Sequence, residues 1–529
     1  MNTNKQIKIY DTTLRDGTQS EGISFSKIDK IRIAQKLDAF GLSYIEGGWP
    51  GSNPTDMAFF EAMQDVKLEN AKLAAFGSTR RAKNAPEDDP NLQTLLDADT
   101  PVVTIFGKAW MLHVDAVLKV TAAQNLSMVE DSCRYLKEHN KEVIFDAEHF
   151  FDGYHDDPEF ALAVLDAAVN GGAETVVLCD TNGGTLPSEI QRICGTVANR
   201  LPNGLEMGIH CHNDANCAVA NSLIGVQSGC RHVQGTINGL GERCGNANLC
   251  SIIPGIELKT DKNCVPSGSL KHLTELSNFI FDLANQRPES HQPYTGTSAF
   301  AHKGGMHVNA VQKKPVTFEH IAPEAVGNER RILVSDLSGG TNIMLKAAEH
   351  DIHLDQKGPE VREILQELKK LEAQGYEYEA ADGSFWLLIQ KTLKKHSPFF
   401  ELKGFRVIVE KRGPDAPCLS EATLKIRVGD QMEITAAEGD GPVNALDKAL
   451  RKGLTSFYPD IAKVHLRDFK VRILEGDAGT AAKTRVLIES GDGEHVWGTV
   501  GVSENIIEAS WEALVDSVEY ILYRNRAKQ

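Results

Sequence analysis

The sequence predicts a TIM (β/α)8 barrel, followed by helical linker subdomains and a C-terminal α+β domain. Between Ile7 and about Leu283, eight short apolar runs alternate with helical patterns, which is typical of parallel βα units. The 529-residue chain exceeds the usual size of one hydrophobic core, so we expect two or three domains. From about residue 401 onward, a pattern of three strands and one helix occurs twice.

The eight predicted strands are rich in Val, Ile and Phe. In chain order they cover residues 7–12, 43–48, 72–77, 102–107, 143–148, 175–180, 206–212 and 232–239. The helical pattern at 27–41 ends at a glycine; the one at 157–172 begins with an Asp-Pro cap and also ends at a glycine. Eight such units in this length match a closed barrel better than an open sheet.

The remainder of the chain divides into two further parts. Residues 284–400 are polar and helical, with two amphipathic helices predicted within 365–393 and a break near Gly383. We therefore predict the barrel at 1–283, helical linker subdomains at 284–400, and a domain of two β3α repeats at 401–529.

The composition limits the class of partner. A net charge of -17 argues against nucleic acids and anionic membranes, so we expect small-molecule partners. The first residues lack the apolar core of a secretory signal, and no apolar run approaches the roughly 18 residues of a membrane span, which predicts a cytoplasmic protein. The ten cysteines form no CxxC pair, which favours free thiols.

Polar side chains follow nearly every predicted strand. In barrels of this kind the chemistry lies at the C-terminal ends of the strands. The residues at those ends are Arg15, Asp16, Glu46, Ser78, Arg80, Lys108, Glu148, Asp180, Thr181, His210, His212, Asp214, Asn238, Glu242, Arg243 and Asn246. For any one of them, the alternative is that polarity simply resumes where a strand ends. Together they predict one polar rim.

On that rim, the HCHND segment at 210–214 is the most specific indication of a metal site. His210 and His212 lie two apart at a strand end, so both side chains face the same way and can share one ion; ordinary hydrogen-bonded histidines are the alternative. Asp16 would complete a 2-His-1-carboxylate set with open positions for substrate and water. Arg15, beside it, would stabilise an oxyanion that develops on a chelated keto oxygen.

Four motifs, in the same order, resemble the signatures of the metal-dependent barrels that condense or cleave acyl-CoA. They are DTTLRDGTQ (11–19), HCHND (210–214), GLGERCGN (239–246) and FAHKGGMH (300–307). That family includes isopropylmalate synthase, homocitrate synthase, citramalate synthase and hydroxymethylglutaryl-CoA lyase. The segments GGWPGSNPTD (47–56), FDAEHFFDGY (145–154), VLCDTNGGTLP (177–187) and HIAPEAVGNERR (320–331) are most similar to citramalate synthases with a long regulatory tail.

The resemblance implies an acyltransferase that condenses acetyl-CoA with pyruvate to (R)-citramalate in isoleucine biosynthesis. It implies that Asp16, His210 and His212 bind a divalent ion, with Asn246 as a nearby or water-mediated ligand. Among Mg, Mn, Zn and Co, the sequence does not select one.

The same resemblance implies roles for the catalytic side chains. Arg15 would hold the pyruvate oxygens and stabilise the alkoxide, and Thr181 would contact the pyruvate carboxylate. Glu148 would help to enolise the acetyl group. His307, supplied by a partner subunit, would remove the proton from the acetyl-CoA methyl group.

Two positions depart from the family pattern. Phe318 stands where relatives usually carry a tyrosine that assists the histidine base, and Gly340 stands where relatives commonly have an arginine. Neither change touches the predicted metal set.

The C-terminal repeats resemble a domain that binds an end-product amino acid in related enzymes. Isoleucine is the effector that this implies, with leucine as the alternative, and a homodimer is expected. Dimerisation without effector binding is the other interpretation of the domain.

Three further hypotheses remain open at this stage. A sister synthase would use a larger 2-oxo acid, such as 2-oxoisovalerate or 2-oxoglutarate, and sequence does not show the pocket volume that separates these acceptors. A non-catalytic amino-acid-binding regulator would use an inactive barrel, but the intact predicted set speaks against it. Lyase activity is the third hypothesis, and it would give no role to the long C-terminal domain.

Overall fold

The computed structural model describes residues 6–335, 338–349, 352–355, 358–474 and 482–527. The chain divides into two compact units. The first comprises Met1–Phe300 and Ile321–Glu329, and the second comprises Ala301–His320 and Arg330–Gln529.

The first unit contains a closed barrel of eight parallel strands in sequence order, as the sequence predicts. The strands are β1 (Lys8–Asp11), β2 (Tyr44–Gly48), β3 (Lys72–Ser78), β4 (Val102–Lys108), β5 (Glu142–Glu148), β6 (Thr175–Asp180), β7 (Glu206–Cys211) and β8 (His232–Gly235). The barrel closes because β8 pairs with β1, with Val233 opposite Ile9. Strand β8 is shorter than predicted, since the backbone leaves the sheet before Asn238, which has a φ of 64°.

Helices pack around the barrel and connect its strands. They are α1 (Lys27–Phe40), α2 (Pro54–Met63), α3 (Pro90–Asp97), α4 (Met111–His113), α5 (Ala122–Glu138), α6 (Phe150–Asp156), α7 (Pro158–Asn170), α8 (Pro187–Arg200), α9 (Ala218–Gln227), α10 (Leu249–Lys259) and α11 (Leu273–Leu283). The predicted start and stop signals hold for two of them. Helix α1 ends at Gly41 in the left-handed conformation, and the Asp157 side chain caps the first turn of α7.

The interior of the barrel is partly polar beneath the rim. The Tyr10 hydroxyl donates to Glu46 Oε2 at 2.5 Å and lies 2.7 Å from Thr104 Oγ1. His232 is fully buried against the rings of Tyr10 and Tyr44. These residues place a hydrogen-bonded layer directly below the strand ends, so the polar groups above it are supported from within the barrel.

The second unit begins with short elements and then contains the two predicted repeats. Its elements are β9 (Ala301–His302), α12 (Gly305–Lys313), β10 (Arg331–Ile332), α13 (Gly340–Ala348), α14 (Pro359–Ala373), α15 (Asp382–Thr392), β11 (Glu401–Lys411), β12 (Cys418–Val428), β13 (Gln431–Gly439), α16 (Pro442–Thr455), β14 (His465–Ile473), β15 (Thr484–Gly491), β16 (Val496–Ser503) and α17 (Ile506–Ala527). Each repeat forms a three-stranded antiparallel sheet followed by one helix.

The predicted break between the two linker helices was placed at the wrong glycine. Helix α14 ends at Ala373, and Gly375 turns the chain with a φ of 110° that favours glycine. Gly383 instead lies inside α15, close to its first residue. Throughout the described residues, every helix is too short or too polar to cross a membrane.

The burial of His232 predicts that the folded protein loses stability in acid. Burial lowers the pKa of His232 to about 3, below its ordinary value of 6.5. Between these values the unfolded chain binds a proton that the folded barrel does not. We expect His232 to lower the free energy of unfolding as the pH falls from 6.5 toward 3, by up to about 1.4 kcal/mol per pH unit.

Urea unfolding at a series of pH values would measure this slope. His232→Gln should flatten it, whereas His139→Gln, which alters an exposed histidine on the same unit, should leave it unchanged. Equal slopes in the wild type and in His232→Gln would contradict the assignment.

Candidate active site

A cavity of about 210 Å³ opens at the C-terminal ends of the barrel strands. It brings together six of the predicted site residues, and eight more that the predicted catalytic and metal set did not include. The lining residues are Arg15, Asp16, Gln19, Trp49, Phe76, Phe106, Asp146, Glu148, Cys179, Thr181, His210, His212, Glu242 and Arg243. Half of the sixteen predicted rim residues therefore line one concave site; Glu46, Ser78, Arg80, Lys108, Asp180, Asp214, Asn238 and Asn246 are outside its lining.

Asp16, His210 and His212 converge in this cavity. One ligand atom from each lies within 4.8 Å of the others, and all three residues are buried. His210 Nε2 lies 3.4 Å from Asp16 Oδ2, and His212 Nε2 lies 4.0 Å from the same oxygen. Donor atoms about 2 Å from a common ion are separated by such distances, so the three side chains can share one metal and leave its other positions open.

His210 is oriented by a residue that the sequence analysis missed. His210 Nδ1 lies 2.8 Å from Gln234 Oε1, and Gln234 Nε2 donates to Asp146 Oδ1 at 2.9 Å. Because the amide oxygen is an acceptor, Nδ1 must carry the proton, and the lone pair of Nε2 faces Asp16. Burial and the nearby Glu46 charge raise the pKa of Asp146 to about 8. Gln234 sits two residues after His232 on β8, so alternation along the strand could have identified it.

Asn246 lies against the same carboxylate. Its Nδ2 donates to Asp16 Oδ2 at 2.9 Å. Among the described residues, the buried Asn246 Oδ1 atom has no hydrogen-bond partner. A buried polar atom without a partner costs about 1–3 kcal/mol, so this oxygen, on a side chain that contacts Asp16, fits an ion or an ion-bound water.

The charges of the site shift the pKa values of two candidate ligands. Burial alone would raise the pKa of Asp16, but Arg15, the two histidines and the Asn246 hydrogen bond outweigh it and lower the pKa to about 2. Burial and the neighbouring His210 lower the pKa of His212 to about 4. Because metal ligands must be deprotonated, both shifts favour the form of the side chain that binds an ion.

Arg15 is held on three sides. Its Nε donates to Glu46 Oε1 at 2.5 Å, its Nη1 lies 3.3 Å from Asp16 Oδ2, and its guanidinium carbon lies 3.7 Å from the centre of the Phe76 ring. Glu46 is fully buried and also accepts from Thr12 Oγ1 at 2.5 Å. The guanidinium therefore lies beside the candidate metal position with little freedom to move.

An aromatic wall borders Arg15. Phe76 and Phe106 stack with ring centres 5.5 Å apart, and the Trp49 ring contacts both edge-on at 5.8 and 5.7 Å. The rings lie near the ends of three neighbouring strands. They make one side of the cavity apolar and stiff.

The two other predicted barrel residues are also fixed in place. Glu148 forms an ion pair with Lys108, its register partner on the neighbouring strand. Thr181 Oγ1 accepts a hydrogen bond from the His149 backbone N–H at 2.9 Å. Since its oxygen is already an acceptor there, the Thr181 hydroxyl proton remains available to an anionic ligand.

His307 belongs to the second unit, where it is exposed on α12. Its ring centre lies 4.2 Å from that of Phe318, so Phe318 does stand beside this histidine and offers no hydroxyl. His302 instead contacts Glu319 at 3.0 Å, and Arg330 also binds Glu319, which gives His302 a structural role. Gly340 is the first residue of α13.

The geometry makes a prediction about metal affinity. In chelator-treated protein titrated calorimetrically with Mn²⁺, His212→Ala should abolish binding. Gln234→Leu should weaken it by about 10–100-fold, because His210 loses the acceptor that fixes its proton. Gln93→Leu, on the exposed face of α3, is the matched control. If His212→Ala binds Mn²⁺ as tightly as the wild type, Asp16, His210 and His212 do not form the metal site.

Comparison with protein families gives three matches along the chain. Residues 6–280 match the HMGL-like family, residues 294–376 match the homocitrate synthase post-HMGL domain-like family, and residues 379–522 match the LeuA allosteric (dimerisation) domain. The order of these matches follows the order of the barrel, the linker helices and the two repeats.

Curated relatives match over almost the whole chain. The (R)-citramalate synthase of Geobacter sulfurreducens is 56% identical over 519 residues, which cover 98% of both chains. That of Aquifex aeolicus is 54% identical, again over 98% of both chains. A probable 2-isopropylmalate synthase of Methanopyrus kandleri is 30% identical over 98% of this chain and 99% of its own. The chain therefore belongs to the HMGL-like enzymes and, among them, to the family of the (R)-citramalate synthases.

Proposed function

We propose that this enzyme is an (R)-citramalate synthase that condenses acetyl-CoA with pyruvate and water to give citramalate and CoA. The observation that carries the proposal is the convergence of Asp16, His210 and His212 beside the clamped guanidinium of Arg15. The much higher identity to citramalate synthases than to the isopropylmalate synthase supports pyruvate as the acceptor.

The cavity supports a small, anionic acceptor. Arg15 would bind the pyruvate oxygens, and the free proton of Thr181 would meet the carboxylate. The rings of Phe76, Phe106 and Trp49 would lie against the methyl group. The three rings bound one side of a cavity of about 210 Å³, and their fit to the acceptor side chain would set the discrimination, at about 1–3 kcal/mol for each added methylene.

Asp16, His210 and His212 would hold the divalent ion on which this family depends, with Asn246 directly or through water beside it. When bound, such an ion polarises a keto oxygen. Mg, Mn, Zn and Co are the candidates, and the choice among them depends on metal supply as well as on ligand geometry.

The proton chemistry would use the barrel of one subunit and a histidine of its partner. His307, supplied by a partner subunit, would take a proton from the acetyl methyl group, while Glu148, fixed by Lys108, assists enolisation. The methyl carbon then bonds to the keto carbon of pyruvate, and Arg15 stabilises the negative charge that moves onto the keto oxygen. Water cleaves the thioester and releases CoA.

The two β3α repeats would bind isoleucine, with leucine as the alternative, and would join two chains in a homodimer. The match to an allosteric (dimerisation) domain supports both roles. The first sheet exposes Val409 at 53% and Ile434 at 63%, and exposed apolar side chains of this kind suit a partner surface. Inhibition by isoleucine would place the enzyme in isoleucine biosynthesis.

Release of free CoA tests the acceptor. With metal-replete protein and acetyl-CoA, we expect fast release with pyruvate and slow release with 2-oxobutyrate, 2-oxoisovalerate and 2-oxoglutarate. Arg15→Lys should lower kcat/KM by about 10²–10³-fold, since lysine lacks the planar fork that Glu46 and Phe76 hold. Arg192→Lys, on exposed α8, is the control. Preferred use of a larger acid would transfer the assignment to a sister synthase.

The same assay tests the effector. Isoleucine should slow CoA release with pyruvate more strongly than equal concentrations of leucine or valine, because a pocket that fits its β-branched four-carbon side chain would fit the branch of leucine and the shorter chain of valine less well. Stronger inhibition by leucine would identify leucine as the effector instead. If none of the three amino acids inhibits, the repeats would have only the dimerisation role.

A further inference from the structure

A second cavity, of about 810 Å³, lies wholly within the second unit. It is bounded by α14, α15, β16 and α17, on the side where the linker helices meet the second repeat. It contains no residue of the candidate active site. It also lies away from the glycine-containing loop that begins α16.

Hydrogen bonds fix the walls of this cavity. Ser384 Oγ on α15 donates to Asp516 Oδ2 on α17 at 2.7 Å and accepts from the Val500 backbone N–H at 3.0 Å. The Gly498 N–H donates to Asp382 Oδ1 at 2.8 Å. The cavity is therefore a built feature of the packing between α15, β16 and α17.

The lining carries an excess of negative charge. Two helices each contribute a pair of carboxylates four residues apart, Glu363 and Glu367 from α14 and Glu512 and Asp516 from α17. Like charges at this spacing destabilise a helix by a few tenths of a kcal/mol per pair. Lys391 is the basic residue of the lining, and it is already paired with Asp516 at 3.1 Å.

Burial outweighs the hydrogen bonds that the two carboxylates of α17 accept. It raises the pKa of Glu512 and of Asp516 above the ordinary values. Glu512 accepts from the Tyr376 hydroxyl at 2.9 Å and from the Val502 backbone N–H at 3.0 Å, and Asp516 accepts from Ser384 and Lys391. A positive charge placed between them would recover the solvation that both groups lose on burial.

The remaining lining is aromatic and apolar. Tyr376 and Tyr378 lie nearly parallel with ring centres 6.3 Å apart, and Trp511, Leu388 and Val515 complete this side. Tyr378 is only 6% exposed, and it lines the cavity. Within the described part of the chain its hydroxyl has no hydrogen-bond partner, so the hydroxyl can donate to or accept from a ligand in the cavity.

The charges and rings of the lining favour one class of ligand over others. The only group of three or more ligating side chains that can hold a metal ion, among the described residues, is the one at the barrel rim, so the cavity carboxylates do not form an ion site. An amino acid would bring a carboxylate for which the lining has no unpaired basic partner. An ammonium group on an apolar chain fits both the charge and the aromatic surface.

We propose that this cavity binds an alkyl amine, with its ammonium group between Glu512 and Asp516 and its chain against Leu388, Val515 and the two tyrosine rings. Such a ligand would bridge the linker helices and the last helix of the regulatory repeats. The proposal does not depend on the acceptor or on the amino-acid effector of the enzyme.

Calorimetric titration of the full chain with three probes tests the proposal. Isoamylamine carries one ammonium group, putrescine carries two, and isocaproate has a similar chain with a carboxylate instead. We expect binding of isoamylamine and none of isocaproate. Tighter binding of putrescine would show that the α14 pair also contributes. Failure of both amines to bind, or binding of isocaproate as tight as that of isoamylamine, would overturn the proposal.

Three variants locate the bound probe. Glu512→Gln should weaken isoamylamine binding by about tenfold or more, because a charged partner is lost. Tyr378→Phe removes only a hydroxyl without a protein partner, so it should fold normally and weaken binding by about threefold. Glu504→Gln removes the same charge from an exposed position just before α17 and should have no effect. Equal affinity in all three variants and the wild type would place the amine elsewhere and overturn the proposal.

Discussion

The buried carboxylate of Glu46 is the contact on which the rest of the active site depends. It accepts hydrogen bonds from Tyr10 and Thr12 inside the barrel and from Arg15 at the rim. A carboxylate with no exposure is tolerable only when it is paired and hydrogen-bonded, and Arg15 supplies the opposite charge. The same contact that satisfies Glu46 therefore fixes the guanidinium beside Asp16. Packing requirements and catalytic geometry are met by one interaction.

A second chain of contacts serves the histidines in the same way. Gln234 joins His210 to Asp146, three strands of the barrel contribute one residue each, and the result is a defined tautomer at the rim. The His210 ring can then present Nε2 without any rearrangement. These hydrogen bonds beneath the cavity hold its few reacting groups in position before a substrate binds, which is electrostatic pre-organisation.

The sequence predicted the barrel, its strands and the Asp16, His210 and His212 convergence because each follows from local pattern. Strand ends are visible in alternation, and parallel strands bring their C-terminal ends to one rim. Alternation along β8 could have placed Gln234 on the same face as His232, but its bonds to His210 and Asp146, like the contact of Phe76 with Arg15, join strands that are distant in sequence. Gly375 was overlooked in favour of Gly383 because glycine content alone does not reveal which glycine adopts a positive φ. Tertiary contacts decide those cases.

The charge of the chain raises one more question, since an acidic protein is expected to repel anionic substrates. At the barrel rim, however, Glu148 is paired with Lys108 and Asp214 with Arg243. Charges elsewhere on the surface are screened over about 8 Å at physiological salt, whereas Arg15, mostly buried in the cavity lining, is screened much less. An entering carboxylate thus meets charges that are paired with one another, including the Arg15 guanidinium beside Glu46 and Asp16. The net charge of -17 affects the solubility of the whole protein, whereas the arrangement of charged side chains at the rim determines which substrates the site accepts.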